Sequence, residues 1–236
     1  MKNFKNAGII LLIMFALQAC NTGSYKAAKL ENRADSASYM LGLSVGHSIK
    51  SQDIPDINPA LIAKGIDAVM HNDSTISEKE INLFLNNYFR QLMEKKGQKS
   101  LEEGKAFLEA NKSKEGVKVT PSGLQYKVLV EGTGKTPTKE NKVKCHYKGT
   151  LINGDEFDSS YKRGQPAEFS LGGMIPGFTE GLQLMKEGGK YQLFIPSELA
   201  YGAQGASQKI GPNSVLIFEV ELLEVLPGET NEKGAH

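Results

Sequence analysis

The sequence has no tryptophan, only two cysteines and only four histidines. One cysteine, Cys20, lies at the end of the leader described below, so Cys145 has no partner within the chain and no disulfide is expected. The histidines are not clustered, so the sequence predicts no metal site. The formal net charge is only +1, which argues against a nucleic-acid partner, since such proteins usually carry a strongly basic face.

The motifs of common catalytic sites are also missing. There is no Gly-x-Ser-x-Gly turn and no pair of closely spaced cysteines, and the glycine pairs at 172–173 and 188–189 lack the setting of a phosphate loop. Cys145 and His146 are neighbours in an alternating strand pattern, so they would point to opposite faces and could not act as nucleophile and base. We therefore predict an inert, buried Cys145 and no cofactor.

The sequence contains one extended apolar run, which lies near the N-terminus. Residues 9–17 follow Lys2 and Lys5, and this run is too short to span a bilayer, which needs about 20 residues. It ends in Leu17-Gln18-Ala19-Cys20, which resembles the bacterial lipobox. We predict a signal peptide over residues 1–19, a lipid on Cys20, and a membrane-anchored, periplasm-facing protein of the cell envelope. An ordinary signal peptide with a chance cysteine is the alternative.

After a polar tether at residues 20–33, residues 34–112 show helical periodicity in three segments. Asp35 or Ser36 could cap the first helix, Asn58-Pro59 opens the second, and Ser77 to Glu80 form a capping box before the third. The third helix is expected to continue to about residue 112 as a polar bridge between domains. The apolar stripes exceed what three short helices can cover, which predicts a homodimer through this domain.

From Val119 onward the apolar period changes to two, which is typical of strands. Asn153-Gly154 predicts a two-residue hairpin, and residues 175–185 are the one helical candidate. The predicted fold class is α+β: an antiparallel sheet wrapped around one short helix at residues 113–227, preceded by an all-α domain with a long connecting helix. Residues 228–236 are expected to form a flexible tail.

Five segments of this second half carry a resemblance to the FKBP family of prolyl isomerases, in the family's order. They are Val143 to Thr150, Gly154 to Ser160, Ile175 to Leu182, Ile195 to Gly202 and Ile217 to Leu223. The helical half resembles the dimerisation domain of the macrophage-infectivity-potentiator-like bacterial subgroup, through its architecture more than through motifs.

The resemblance implies a peptidyl-prolyl isomerase pocket. Tyr147, Asp158 and Tyr201 would be catalytic, and the substrate-binding residues would be Phe157, Phe169, Met174, Ile175, Phe178, Ile210 and Phe218. The floor would be Phe178, while the Tyr201 hydroxyl and the Ile210 backbone N–H would donate hydrogen bonds to the substrate. The implied ligands are proline-containing unfolded or exported polypeptides, with macrolide inhibitors as further candidates. The family pattern is broken at Ala167 and at residues 206–209, which affects substrate preference.

The absence of nucleophiles fits this reaction. Rotation about an X–Pro bond crosses a barrier of about 18–20 kcal/mol without making or breaking a bond, so an apolar aromatic pocket can accelerate it. The expected function is isomerisation of X–Pro bonds in exported proteins, together with chaperone-like action as a dimer. Two alternatives are a dimeric chaperone or peptide-binding module with little isomerase activity, and a structural envelope protein, which would leave the aromatic residues unexplained.

Overall fold

The structure is a computed structural model that describes residues 28–52 and 54–228. The predicted signal peptide, Cys20 and nearly all of the predicted tail lie outside the described residues. The chain forms two compact units, which divide between Thr75 and Ile76. Among the described residues, no helix is both long and apolar enough to cross a membrane.

Within the described part of the first unit there are two helices, α1 (Arg33–Ser51) and α2 (Pro59–Met70). The cap of α1 is Asn32, not the expected Asp35 or Ser36, because the Asn32 side chain accepts from the backbone N–H groups of Ala34 and Asp35. The predicted start of α2 is confirmed, with Asn58 as the cap and Pro59 at the first helical position. No side chain of either helix is buried.

The second unit begins with α3 (Glu78–Asn111), which runs unbroken for 34 residues from the predicted capping box of Ser77 and Glu80. Its buried residues are Gly97, Gly104 and Asn111. They recur every seven residues, so they form one stripe. Gly97 and Gly104 pack on the segment before the last strand, and Asn111 donates to the Gln125 side chain at 3.0 Å. The expectation of a polar bridging helix did not anticipate this packing, because the fully buried positions are two glycines and an asparagine instead of apolar side chains.

The rest of the second unit is a seven-stranded antiparallel sheet. Its order is β1-β2-β6-β7-β3-β4, with β5 paired to β3. The strands are β1 (Val117–Val119), β2 (Gln125–Val130), β3 (Lys142–Leu151), β4 (Glu156–Ser159), β5 (Ala167–Ser170), β6 (Lys190–Ile195) and β7 (Leu216–Leu226).

One short helix, α4 (Pro176–Gln183), packs on this sheet, which confirms the predicted α+β fold. It buries Phe178 and Leu182 in the core that the sheet curves around. The backbone of α4 approaches the sheet closely at Gly181, where an added Cβ would overlap the Leu193 side chain. Burial of the large side chains of this core supplies the main driving force for folding the second unit.

Candidate functional site

A cavity of about 370 Å³ opens between α4, the β3–β4 hairpin and the segment after β6. All ten residues predicted for the site line it. The cavity is lined by Tyr147, Phe157, Asp158, Phe169, Met174, Ile175, Phe178, Tyr201, Ala206, Ser207, Ile210 and Phe218. Sequence reasoning missed Ala206 and Ser207, which it treated only as a departure from the family pattern.

The floor of the cavity is the ring of Phe178, which is 1% exposed. It packs edge-on against Phe218 at 5.0 Å and Phe169 at 6.0 Å between ring centroids, and Tyr147 lies 6.3 Å away. These offset and edge-to-face contacts add to the stabilisation from burial alone. The floor of the cavity is therefore apolar and closely packed.

The side chains of Phe157 and Asp158 both line the cavity, although neighbours in a regular strand point to opposite faces. A β-bulge explains this arrangement. Gly149 pairs with Asp158 but Thr150 pairs with Glu156, so Phe157 is an extra residue in β4. The missing side chain of Gly149 leaves room for the Phe157 ring, since an added Cβ would lie 2.5 Å from it.

The hairpin that carries this bulge also differs from the expected one. The Leu151 N–H donates to Asp155 O at 2.9 Å, so the loop contains the three residues between them, instead of the predicted two. Gly154 has φ of 89°. A three-residue loop with a left-handed residue at its end is a common solution beside a bulge, and it needs glycine there for steric reasons.

The carboxylate of Asp158 is held by three donors. The Tyr147 hydroxyl donates to Oδ2, the Arg163 guanidinium donates to Oδ1, and the Ser159 N–H donates to Oδ1 at 2.8 Å. Arg163 also donates to the Tyr147 hydroxyl oxygen at 2.7 Å. Arg163 is thus the basic partner of Asp158, whereas its neighbour Lys162 pairs with Glu156 at 2.9 Å.

These contacts set the protonation states of Asp158 and Tyr147. Partial burial acts to raise the pKa of Asp158, but the hydrogen bonds from Tyr147, Arg163 and Ser159 outweigh it and lower that pKa. Burial, together with the hydrogen bond to Asp158, raises the pKa of Tyr147 to about 12. At neutral pH Asp158 is therefore ionised and Tyr147 is protonated.

The two predicted hydrogen-bond donors to the substrate differ in the structure. Tyr201 lies at the rim with 41% of its surface exposed, and no residue in the described ranges hydrogen-bonds to its hydroxyl. The Ile210 N–H, in contrast, donates to Ala206 O at 3.2 Å, while the Ala206 N–H donates to Ile210 O at 2.8 Å. In this structure the Ile210 N–H thus already has an acceptor within the chain, and Ile210 contributes its side chain to the cavity lining; donation of this N–H to a substrate stays a prediction.

The two reactive side chains of β3 outside the cavity, Cys145 and His146, are buried or hydrogen-bonded. Cys145 is fully buried, and burial raises the pKa of its thiol to about 12. His146 stacks on Tyr161 at 4.6 Å and bonds to Ser160 Oγ at 3.0 Å, on the other face of β3. Within residues 28–52 and 54–228, no three His, Cys, Asp or Glu side chains are grouped to hold a metal ion. A wider groove of about 760 Å³ between α3 and the β1–β2 edge has no aromatic lining.

Comparisons with known proteins agree with this geometry. The family model described as FKBP-type peptidyl-prolyl cis-trans isomerase matches residues 133–223, and the model described as the domain amino terminal to it matches residues 34–128. The outer membrane protein MIP of Legionella longbeachae is 42% identical over 207 residues, which cover 84% of this chain and 88% of that protein.

Two further comparisons extend over most of the chain. The peptidyl-prolyl cis-trans isomerase Mip of Coxiella burnetii is 42% identical over 212 residues, which cover 86% of this chain and 92% of that protein. The crystal structure of FkpA from Escherichia coli matches with a TM-score of 0.63 and 39% identity, covering 85% of this chain and all of that one. Because both halves match in order, this chain belongs to the family of FKBP-type peptidyl-prolyl cis-trans isomerases.

Proposed function

We propose that this isomerase acts on X–Pro bonds of unfolded exported polypeptides, as a lipid-anchored dimer in the bacterial envelope. The observation that carries the catalytic part is the aromatic cavity, with Phe178 as its floor and the ionised Asp158 held at its side by Tyr147 and Arg163. Prolyl isomerase activity needs no group beyond these side chains, because no bond between atoms is exchanged.

The cavity would accelerate rotation by favouring the twisted amide over the planar one. When the X–Pro bond twists, amide resonance is lost and the carbonyl becomes less dipolar, so transfer into an apolar cavity penalises the planar ground state more. Only contacts that are better in the twisted state raise the rate, and each factor of ten corresponds to about 1.4 kcal/mol. The field of Asp158 would act on the substrate carbonyl carbon without proton transfer, since Tyr147 keeps its proton at neutral pH.

The free hydroxyl of Tyr201 would donate a hydrogen bond to a carbonyl of the bound peptide. This bond would hold the flanking backbone while the proline ring sits on the floor. Macrolide inhibitors that present a carbonyl and an apolar ring would compete for the same positions.

The proposed dimer forms through the helical domain of residues 34–112. The exposed apolar side chains of α1 and α2 support it, with Leu41 68% exposed and Met70 75% exposed. On the first half of α3, Phe84 is also 69% exposed. Apolar surface of this extent is usually covered by a partner, and a second copy would cover the same residues on both chains.

The proposed anchor is a lipid on Cys20, after removal of residues 1–19 as a signal peptide. It is supported by the sequence Leu17-Gln18-Ala19-Cys20 and by the name of one relative, an outer membrane protein. Residues 20–33 would act as the tether, residues 113–227 as the isomerase domain and residues 228–236 as a flexible tail. A chaperone-like binding module with little isomerase activity is the second candidate, and the exposed helix faces favour it.

The deciding experiment is a cis-to-trans assay on a short X–Pro peptide with the full mature chain. We expect Tyr201→Phe to lower kcat/KM a few-fold to about tenfold, since a hydrogen bond contributes about 0.5–1.5 kcal/mol. The matched control is Tyr161→Phe, another exposed tyrosine that lies outside the cavity, which should leave kcat/KM unchanged. Asp158→Leu should lower kcat/KM without altering its pH dependence.

The same preparation distinguishes the second candidate. If the parent and the Asp158 and Tyr201 variants show no isomerase activity but all suppress aggregation of an unfolded client, the binding-module function replaces the isomerase proposal. Light scattering of the full chain should give twice the chain mass, and a monomer at micromolar concentration would contradict the dimer.

A further inference from the structure

The glycines of the α3 stripe contact residues 212–215, which follow the cavity-lining segment of residues 201–210. An added Cβ on Gly97 would lie 3.1 Å from Pro212 Cβ, and one on Gly104 would lie 2.8 Å from Val215 Cγ2. Val215 is 5% exposed and immediately precedes β7, which carries Phe218. The helix backbone therefore approaches residues 212–215 more closely than any larger side chain would allow.

Asn213 connects this helix to the cavity wall by two hydrogen bonds, and it is the donor in both. Its side-chain Nδ2 donates to Gly97 O on α3 at 3.1 Å, and its backbone N–H donates to Gly202 O at 2.8 Å. Asn213 adopts φ of 55°, a left-handed conformation that asparagine tolerates better than most residues. The position thus requires both an unusual backbone conformation and a side-chain donor.

The wall itself, residues 201–210, is anchored at its far end by Ile210, which is 7% exposed in the core, and by Lys209, whose ammonium donates to Phe157 O at 3.2 Å. It supplies Tyr201, Ala206, Ser207 and Ile210 to the cavity. Within the wall, the backbone bonds between Ala206 and Ile210 close a small loop, and Gly202 is the residue directly after Tyr201. The bond from Asn213 to Gly202 therefore acts next to the tyrosine whose hydroxyl is free at the rim.

We propose that Asn213 is a positioning residue, through which α3 holds the wall of residues 201–210 in the conformation that binds substrate. The proposal rests on the proposed isomerase function of the cavity. The second half of α3 then belongs to the scaffold of the active site as well as to the link between domains. Loss of this contact would reduce the fraction of molecules with a binding-competent wall, which raises the apparent KM and leaves the floor and Asp158 unchanged.

The test uses full-length variants at Asn213. Asn213→Asp keeps the shape and the tolerance of positive φ but places an oxygen against Gly97 O, while Asn213→Gly removes the side chain and accepts the same backbone conformation. The matched control is Asn111→Ala on the same helix stripe. It removes the buried bond from Asn111 Nδ2 to Gln125 Oε1 at 3.0 Å without touching residues 201–215.

We expect Asn213→Asp to raise KM for an X–Pro peptide by about threefold to tenfold with kcat within about twofold of the parent, and Asn213→Gly to be intermediate. Backbone amide NMR signals of residues 201–210 should shift or broaden in both variants. Asn111→Ala should lower the melting temperature but leave KM and those amide signals at parent values.

Two results would overturn the proposal. One is an Asn213→Asp variant with parent KM and parent amide signals. The other is equal effects of Asn213→Asp and Asn111→Ala on KM, which would mean that docking of α3 only stabilises the fold. If the parent itself lacks isomerase activity, the proposed isomerase function is refuted. The amide signals of residues 201–210 in the Asn213 variants then test by themselves whether Asn213 holds the wall in place.

Discussion

The contact between Gly149 and Phe157 allows a sharp test of the cavity. In Gly149→Ala, the new Cβ would lie 2.5 Å from the Phe157 ring and 3.0 Å from Phe218 Cε1, so at least one ring must move. Phe218 is 8% exposed and packed on Phe178 at 5.0 Å, whereas Phe157 is only half-buried at the cavity mouth. We therefore expect Phe157 to swing outward.

The size of the effect on stability depends on which of the two rings moves. Overpacking a tight core usually costs about 1–3 kcal/mol, and because Phe157 can move toward solvent, the loss of unfolding free energy should lie near the lower end, about 1 kcal/mol. The catalytic efficiency kcat/KM should fall by about tenfold, since the Phe157 ring that lines the cavity is displaced. Urea unfolding and the peptide assay measure the two quantities on one preparation.

The control is Gly173→Ala, where an added Cβ meets no atom within 4 Å. It should change the unfolding free energy by less than about 0.5 kcal/mol. If Gly149→Ala retains both the stability and the kcat/KM of the parent, the bulge is not packed as described and the placement of Phe157 beside Asp158 is refuted.

Three further predictions concern the cavity and the core. Phe178→Ala should lower the unfolding free energy by about 3–5 kcal/mol in urea titrations, and retained activity in a folded variant would contradict its role as the floor. Because the folded pKa of Asp158 is lowered, its ionised form stabilises the fold above its unfolded pKa, and this stability is lost as pH falls through the folded pKa. Arg163→Met should raise the pKa of Asp158, so that the loss of stability in acid unfolding, followed by circular dichroism, begins at higher pH. An unfolding profile that does not shift would show that the ion pair with Arg163 does not lower the pKa of Asp158. Cys145 should resist alkylation at pH 8 until the chain unfolds, since burial raises its thiol pKa to about 12; mass spectrometry of the native protein after alkylation checks this.

Local sequence chemistry was a reliable guide where an element depends on nearby residues. The capping box of Ser77 and Glu80 and the Asn58-Pro59 start were predicted because a helix begins where side chains satisfy its first N–H groups. The α1 cap was misplaced because Asn32, Asp35 and Ser36 are all good caps, and the choice depends on which backbone conformation the chain adopts before the helix.

The site residues were predictable as a set from the family resemblance, but their geometry was not. Phe157 and Asp158 can share the cavity only because β4 contains a bulge, and a bulge depends on how β4 registers with β3. The Ile210 N–H was assigned to the substrate, yet it pairs with Ala206 across a turn whose closure no local pattern signals.

The sequence by itself determined the helical first half and the strand-rich second half, the α+β class, the family and the residue types of an apolar pocket, because periodicity, caps and motifs are local properties. Only the tertiary structure decided that Arg163 is the partner of Asp158 and that the glycine stripe of α3 packs beside Asn213. The contact between Asn213 and Gly97 joins residues 116 positions apart, and glycine leaves no side chain from which such a contact could be predicted. Arg163 is only five residues from Asp158, but Lys162 beside it is equally basic, and only the folded turn decided between them.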